Sequence, residues 1–317
     1  MKIVVTGALG HIGSKLIREL PRLHPGCEVV MIDDFTVQRY PSLFDLPDGA
    51  RYRFIEGDVI KLELPPVFEG ADMVVHLAAI TNAAGSFENK DRVEYINYNA
   101  TLKTAEACAK TGVPMFYIST TSVYGTQEKL VDENCPESAL QPQSPYAETK
   151  LREEKLLMQL GRERGLDFMI CRFGTIYGAS PGMRFHTAVN KFCWQAVMGQ
   201  PVTVWRTALH QMRPYLFLDD AIRAMDFVLS KKLFDRGIYN VLTMNATVNT
   251  ILDAIKMHAG NFNVEFVETK IMNQLSYEVA RTKFERLGFV FSGADSLQKA
   301  VAGTVHLLGN ANCARAK

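Results

Sequence analysis

The chain of 317 residues carries no excess of either charge: 35 basic against 34 acidic side chains leave a formal net charge of +1. Without a broad positive field, neither nucleic acid nor an anionic membrane surface is an expected partner, although a local basic pocket remains open. Long hydrophobic runs are missing as well. Stretches such as Met73–Val75 and Leu77–Ile80 fall far below the roughly 20 residues a membrane-spanning helix needs. No basic segment with a longer apolar stretch precedes the first strand at Lys2-Ile3-Val4-Val5, so no secretory signal is expected. Cysteine is sparse, at positions 27, 108, 135, 171, 193 and 313, and no Cys-x-x-Cys pair occurs. That argues against a zinc site or any other metal site and for reduced, buried thiols in a cytoplasmic protein.

What is present is ordinary for a globular chain, with 47% hydrophobic and 22% charged residues, and it is long enough for one large or two modest domains. Short β-branched runs alternate with amphipathic helical patterns. The strands expected are Lys2–Val5, Glu28–Ile32, Arg53–Glu56, Met73–His76, Met115–Ser119 and Phe168–Phe173; the helices are Ile12–Leu23, Asp91–Thr111 and Tyr146–Arg164. Such alternation predicts an α/β fold, a doubly wound Rossmann-type parallel sheet with helices on both faces. After Gly178 the pattern changes to a Pro/Gly loop at Ala179–Met183, a helix reaching Met198 and an isolated strand at Val202–Trp205. The expected division is a dinucleotide domain over 1–178, with 214–230 returning to its sheet through Leu216–Asp219. A smaller C-terminal substrate-binding lobe takes 179–213 and 231–317, with a polar tail after Gly309 that frays. A cleft at the sheet's carboxyl edge between the two is the expected ligand site.

Strand one runs into Thr6-Gly7-Ala8-Leu9-Gly10-His11-Ile12-Gly13, where a helix opens. A turn of this kind brings bare backbone N–H groups against a pyrophosphate at the positive end of a helix. Glycines supply the turn and remove the Cβ atoms that would hold phosphates away. The context is that of a dinucleotide site: strand before, helix after, and an acid, Asp33, ending the next strand, with Asp34 behind it. A carboxylate there accepts hydrogen bonds from the adenosine ribose and repels a 2′-phosphate, so NAD is expected rather than NADP. No arginine sits at the strand tip itself; the nearest after it is Arg39. Asp58 and Val59, after strand three, offer adenine contacts, and Leu77, Ala78 and Ala79, after strand four, offer a floor for the cofactor; each stretch also reads as a plain turn. His76 reads as packed rather than catalytic.

Tyr146-Ala147-Glu148-Thr149-Lys150 sets a tyrosine and a lysine four apart at a helix start, on one face. A phenol with a pKa of about 10 is a poor base at neutral pH, but a neighbouring ammonium and a cationic nicotinamide favour the phenolate. Such a lysine can also hold nicotinamide ribose hydroxyls. Just upstream, Ser119, Thr120, Thr121 and Ser122 crowd hydroxyls at the end of a central strand. One of them can hydrogen-bond a reacting alcohol and relay its proton, while others satisfy backbone groups. Asn97 has two readings, a brace for the strand-four loop or an active-site water, and a solvated helix residue.

Together these motifs resemble the extended short-chain dehydrogenase/reductases, the group that contains UDP-glucose 4-epimerase and dTDP-glucose 4,6-dehydratase. The resemblance is carried by Thr6–Gly13, Asp33, Gly57-Asp58-Val59, His76–Ala79, Ser119–Gly125, Pro145–Lys150, Arg172–Gly178 and Arg213–Asp220, and covers about residues 2 to 245. It implies Tyr146 as the base, Lys150 as its partner and Thr120 as the hydrogen-bonding hydroxyl. NAD contacts are implied at Gly7, Leu9, Gly10, His11, Ile12, Gly13, Asp33, Asp34, Asp58, Val59, Leu77, Ala78, Ala79, Asn97 and Ser119, besides Tyr146 and Lys150. Arg213 matches an arginine that grips the substrate diphosphate, a task suited to a guanidinium fork, and Val204 lies in a strand that flanks the nucleotide base. Arg184 reads as a second anion contact or as a surface charge. Where the 4,6-dehydratases carry an Asp-Glu pair, Thr121 and Ser122 stand, neither of which can act as a carboxyl acid or base. Thr175 replaces a substrate-touching asparagine common in relatives, and Arg206 a common glycine. The implied function is an NAD-dependent epimerase of a nucleotide-diphosphate sugar, acting at C4 through a transient 4-keto intermediate. The alternatives are a net NAD-dependent oxidoreductase of a nucleotide sugar and a non-catalytic dinucleotide-binding regulator. The resemblance further implies a homodimer paired through the helices around Asn97–Thr111 and Tyr146–Arg164.

Overall fold

The computed structural model describes residues 1–81, 85–125, 130–142, 144–268 and 276–309; the expected tail after Gly309, with Cys313, lies almost wholly outside them. Its main sheet is built from β1 (Lys2–Thr6), β2 (Cys27–Asp33), β3 (Ala50–Glu56), β4 (Met73–His76), β5 (Met115–Thr120) and β6 (Phe168–Phe173), each within a few residues of the stretch read from the sequence. Every pairing is parallel. The intervening helices are α1 (His11–Leu23), a single turn α2 (Pro65–Phe68), α3 (Lys90–Thr111) and α4 (Pro145–Arg164).

The strands are apolar on both faces because both faces are covered. In β1, Ile3 and Val5 enter a core shared with Leu16, Ile17 and Leu20 of α1, while Val4 between them enters a second core with Ala105 and Cys108 of α3 and Leu157 and Leu160 of α4. This two-residue alternation fixes the register, since a one-residue slip would send each side chain to the wrong layer.

Beyond β6 the chain forms β7 (Thr175–Tyr177), α5 (Ala188–Val197), β8 (Val202–Trp205), β9 (Met212–Phe217), α6 (Leu218–Lys231) and β10 (Ile238–Val241). The strand order of the main sheet is β10-β6-β5-β4-β1-β2-β3. Three expectations are corrected here. The return of 214–217 to the main sheet does not occur: β9 lies in a separate three-stranded sheet with β7 and β11 (Met244–Thr247), and it is α6, with Leu216 of β9, that packs on the main sheet's α1 face. The seventh place goes instead to Ile238–Val241, which had been assigned to the second lobe. The physical reason is packing: Tyr239 and Val241 of β10 are buried against that sheet, whereas β9 sits between β7 and β11 and carries Arg213 to the cavity. Nor is Val202–Trp205 isolated; it pairs in parallel with β12 (Val264–Val267).

The remaining helices are α7 (Val248–Ala259), α8 (Thr282–Glu285) and α9 (Ser296–Leu308). Val189, Phe192 and Cys193 of α5 pack with Ile251 and Ile255 of α7 and Leu297 and Val301 of α9 around β8 and β9, forming a distinct smaller core. A buried clamp ties that lobe to the first helix. His11 Nε2 donates to Gly178 O at 2.8 Å, Ser180 Oγ donates to His11 O at 2.8 Å, and Gly182 N donates to Ser14 Oγ at 2.9 Å.

Candidate active site

The strand order reverses between β1 and β4, so the connections leaving these strands diverge and open a crevice at their carboxyl ends. A cavity of about 430 Å3 lies there, large enough for a small ligand. It brings together Gly7, Gly10, His11, Ile12 and Gly13 of the turn, Leu77 and Ala79 after β4, Ser119 and Thr120 at the end of β5, and Thr121 and Ser122 after it. Tyr146 and Lys150 of α4, with Thr175, Arg184, Val204 and Arg213 from the second lobe, complete it.

The turn is shaped for an anionic ligand. Gly7 has φ +64°, and a Cβ there would lie 2.6 Å from Ala78 N, so the β4 loop can pass directly behind it. No side chain caps α1, and its first turn holds no acid; its N-terminal amides are therefore available to phosphate oxygens. Arg39 Nη1 stands 3.5 Å from where a Cβ on Gly10 would be, adding a cation beside the turn. These features fit the diphosphate of a dinucleotide.

Several expected contacts do not line this cavity. Asp33 binds the turn itself, accepting from Leu9 N and Phe35 N, each at 3.1 Å, and burial raises its pKa against those two hydrogen bonds. Leu9 is buried behind it. Asp34 closes a local turn onto Thr36, and Asp58 does the same for Ile60 N at 2.9 Å, while Val59 packs in the core. Ala78 lies against Gly7. Asn97 is fully buried and braces the strand-four loop, its Oδ1 accepting from Ile80 N at 2.7 Å and its Nδ2 donating to Ile80 O at 2.9 Å; the solvated reading fails. His11 does line the cavity but spends its ring on the interlobe clamp, and burial pulls its pKa down to about 4. His76 is buried among Thr6, Thr101 and Thr104, and burial followed by the Lys150 charge lowers its pKa to about 3, in keeping with a packed, neutral ring.

Helix α4 presents the tyrosine and lysine because its start is set by Ser144, whose Oγ accepts from Ala147 N at 3.2 Å, with Pro145 as first helical residue. Tyr146 reaches the cavity wall. Burial raises its pKa, and the charges of Lys150 and Arg184 oppose that while Glu153 adds to it. Thr120 Oγ accepts from Ser122 N at 3.1 Å, which turns the loop after β5 and leaves the hydroxyl proton to donate. Thr121 is tied down, donating to Phe173 O at 3.3 Å. Arg184 is partly buried and, among the described residues, no carboxylate pairs with it; burial and the Arg39 charge both lower its pKa. Arg206, the odd residue after β8, stacks on Phe266 with 4.8 Å between its guanidinium carbon and the ring centroid.

Sequence reading missed the acids below the pair. Glu154 is buried, with Arg172 forking onto it at 2.9 and 2.7 Å and Ser119 Oγ donating at 2.5 Å. Glu153 is buried beside Lys150. The available signal was their spacing, three and four residues after Lys150, together with Arg172 inside a buried strand. His186 and Lys191 also line the cavity. Among the described residues, no cluster of His, Cys, Asp or Glu could hold a metal ion, and no helix is long and apolar enough to cross a membrane.

A parallel sheet wound to either side of a glycine turn, with a tyrosine–lysine helix beside it, defines a dinucleotide-dependent enzyme of the extended short-chain dehydrogenase/reductase class. The chain belongs to the NAD dependent epimerase/dehydratase family, whose model matches residues 3–241. It is 34% identical over 243 residues to an uncharacterized UDP-glucose epimerase, YtcB, of Bacillus subtilis (strain 168), covering 73% of each chain. It is 29% identical over 299 residues to a trifunctional protein of Arabidopsis thaliana, RHM1, named as a UDP-glucose 4,6-dehydratase, 3,5-epimerase and reductase; the match takes 90% of this chain but spans only 44% of that protein. A solved Bacillus cereus UDP-glucuronic acid 4-epimerase, in complex with UDP-glucuronic acid and NAD, superimposes with a TM-score of 0.84 for one form and 0.85 for the form holding both ligands. That ligand-bound form is 27% identical and covers 97% of this chain and 100% of its own.

Proposed function

We propose that this enzyme epimerises a nucleotide-diphosphate sugar at C4 through a transient 4-keto sugar. The observation that carries the reading is the meeting of Tyr146, Lys150 and Thr120 in one cavity with the glycine turn, while the two positions after Thr120 hold hydroxyls instead of carboxylates. NAD, when bound, supplies the reversible hydride chemistry. Thr120 donates a hydrogen bond to the C4 oxygen, and Tyr146 takes that oxygen's proton and later gives it back. Lys150 stabilises the phenolate by its charge. Arg213 holds the diphosphate and Val204 lies beside the base, which leaves the sugar free to turn and accept hydride on its other face. Without carboxyl groups at Thr121 and Ser122, loss of water from the keto sugar has no acid–base pair of the dehydratase kind to assist it.

Arg184 supplies a second anion contact on the same wall. A UDP-hexuronic acid, the ligand class of the Bacillus cereus neighbour, therefore belongs in the substrate panel beside neutral UDP- and GDP-sugars. Pure protein incubated with that panel and followed by NMR should invert C4 of at least one sugar without net NADH. C4 left unchanged throughout would overturn the reading, and NADH formed in step with substrate would identify a net oxidoreductase instead. Two further parts of the proposal are a cytoplasmic homodimer paired through α3 and α4, checked by sedimentation of the protein and of an interface variant at exposed Tyr95, and a substrate lobe made of the stretches outside the main sheet.

A further inference from the structure

Beneath Tyr146, helix α4 carries an acid that the sugar reading leaves unused. Glu153 is fully buried, and its Oε2 lies 3.1 Å from Lys150 Nζ. That oxygen also accepts the Tyr117 hydroxyl, which receives a hydrogen bond from Lys150 Nζ at 3.1 Å. Lys150 is itself only 4% exposed. The other carboxylate oxygen, Oε1, is buried with no hydrogen-bond partner among the described residues. Such an arrangement costs stability that a well-packed apolar side chain would not, so its rationale lies in the site.

We propose that Glu153 is a positioning residue for the Tyr146–Lys150 pair: its carboxylate anchors the Lys150 ammonium on the cavity floor. The proposal rests on Tyr146 acting as the base. The other groups facing this cluster are few. From β4 comes His76, held neutral by burial, and from β5 comes Tyr117, its pKa pushed well up. Glu154 is neutralised by Arg172 of β6. Across the cavity stands Arg184, and the α3 acids facing α4, Glu94 and Glu106, pair with Arg152 and Arg164 at the solvent-exposed rim.

Removing the carboxylate takes away a nearby negative charge that raises the Tyr146 pKa, so the Tyr146 proton becomes easier to remove and the phenol titrates at lower pH.

The test uses NAD-loaded protein without sugar and reads the phenolate absorbance against pH, with Tyr146→Phe in each background as the blank. In Glu153→Gln the Tyr146 midpoint should fall by at least about half a pH unit. Glu153→Asp, which keeps the charge but withdraws it, should move the same way by less. Curves superimposable on the parent protein would overturn the proposal; if the glutamine variant does not fold, an unchanged aspartate curve overturns it equally. A parent holoprotein without any Tyr146 phenolate band would instead remove the base assignment, so the two failures are distinguishable.

Discussion

At the scale of the residue, the site divides labour between groups that move protons and groups that hold charge. Tyr146 stands at the wall of the cavity, and its burial raises the cost of the phenolate that Lys150 and Arg184 offset. Tyr146→Phe removes the proton acceptor and little else, so kcat should drop by roughly 10² to 10⁴ while the KM for the nucleotide sugar stays within a few-fold. Arg213 has the opposite profile, because holding a diphosphate contributes equally to ground and transition states. Steady-state kinetics of Arg213→Ala should show KM raised by about tenfold to a hundredfold, from a charged hydrogen bond worth about 1.5–3 kcal/mol, with kcat nearly unchanged. A large kcat loss there with normal KM would place Arg213 in the chemistry instead.

At the scale of the element, two features keep helices in working order. Helix α1 begins at the glycine turn, and a Cβ on Gly13 would stand 2.6 Å from Ala8 O, inside any allowed contact. Gly13→Ala must therefore shift the backbone of the turn, and NAD affinity measured by calorimetry should fall even where the protein stays folded. Helix α4 is tied to β6 by Glu154 and Arg172, 2% and 3% exposed. Breaking one partner leaves a buried charge uncompensated, so Glu154→Leu should cost about 3–5 kcal/mol in urea unfolding, whereas Glu154→Leu with Arg172→Met should recover much of it. A single variant as stable as the parent would show that the pair is not a structural requirement.

For the whole molecule, the buried histidines set an acid limit. His11 and His76 titrate near 4 and 3 in the fold, against 6.5 when exposed. In each case the unfolded chain binds the proton more readily, so stability is fully present above about pH 6.5 and is lost as pH falls towards 4 and below. Urea midpoints measured at pH 7 and pH 5 should differ in that direction. The difference should shrink in a His11→Gln protein, whose loss also loosens the clamp between α1 and the Gly178–Gly182 loop. An unchanged pH dependence in that variant would mean His11 is not among the groups responsible. Saturating NAD should raise the melting temperature by mass action, since the site it needs exists only in the fold.

Local sequence was enough for the strands and helices of the first six β units, for the glycine turn and for the Tyr146–Lys150 pair. The reason is that alternation, helix periodicity and four-residue spacing act over short distances along the chain. It was not enough to say which strand takes the seventh place in the sheet, because β9 and β10 are both short and only the partners met in the fold, β6 for β10 and β7 with β11 for β9, separate them. Nor could it separate Asn97 the brace from Asn97 the solvated residue, or show that the His11 ring reaches across to Gly178. Glu153 and Glu154 look alike in the sequence as charges on a helix; the tertiary structure alone buries both and gives each a different cation, Lys150 one turn back on the same helix for Glu153 and Arg172 of the neighbouring strand for Glu154.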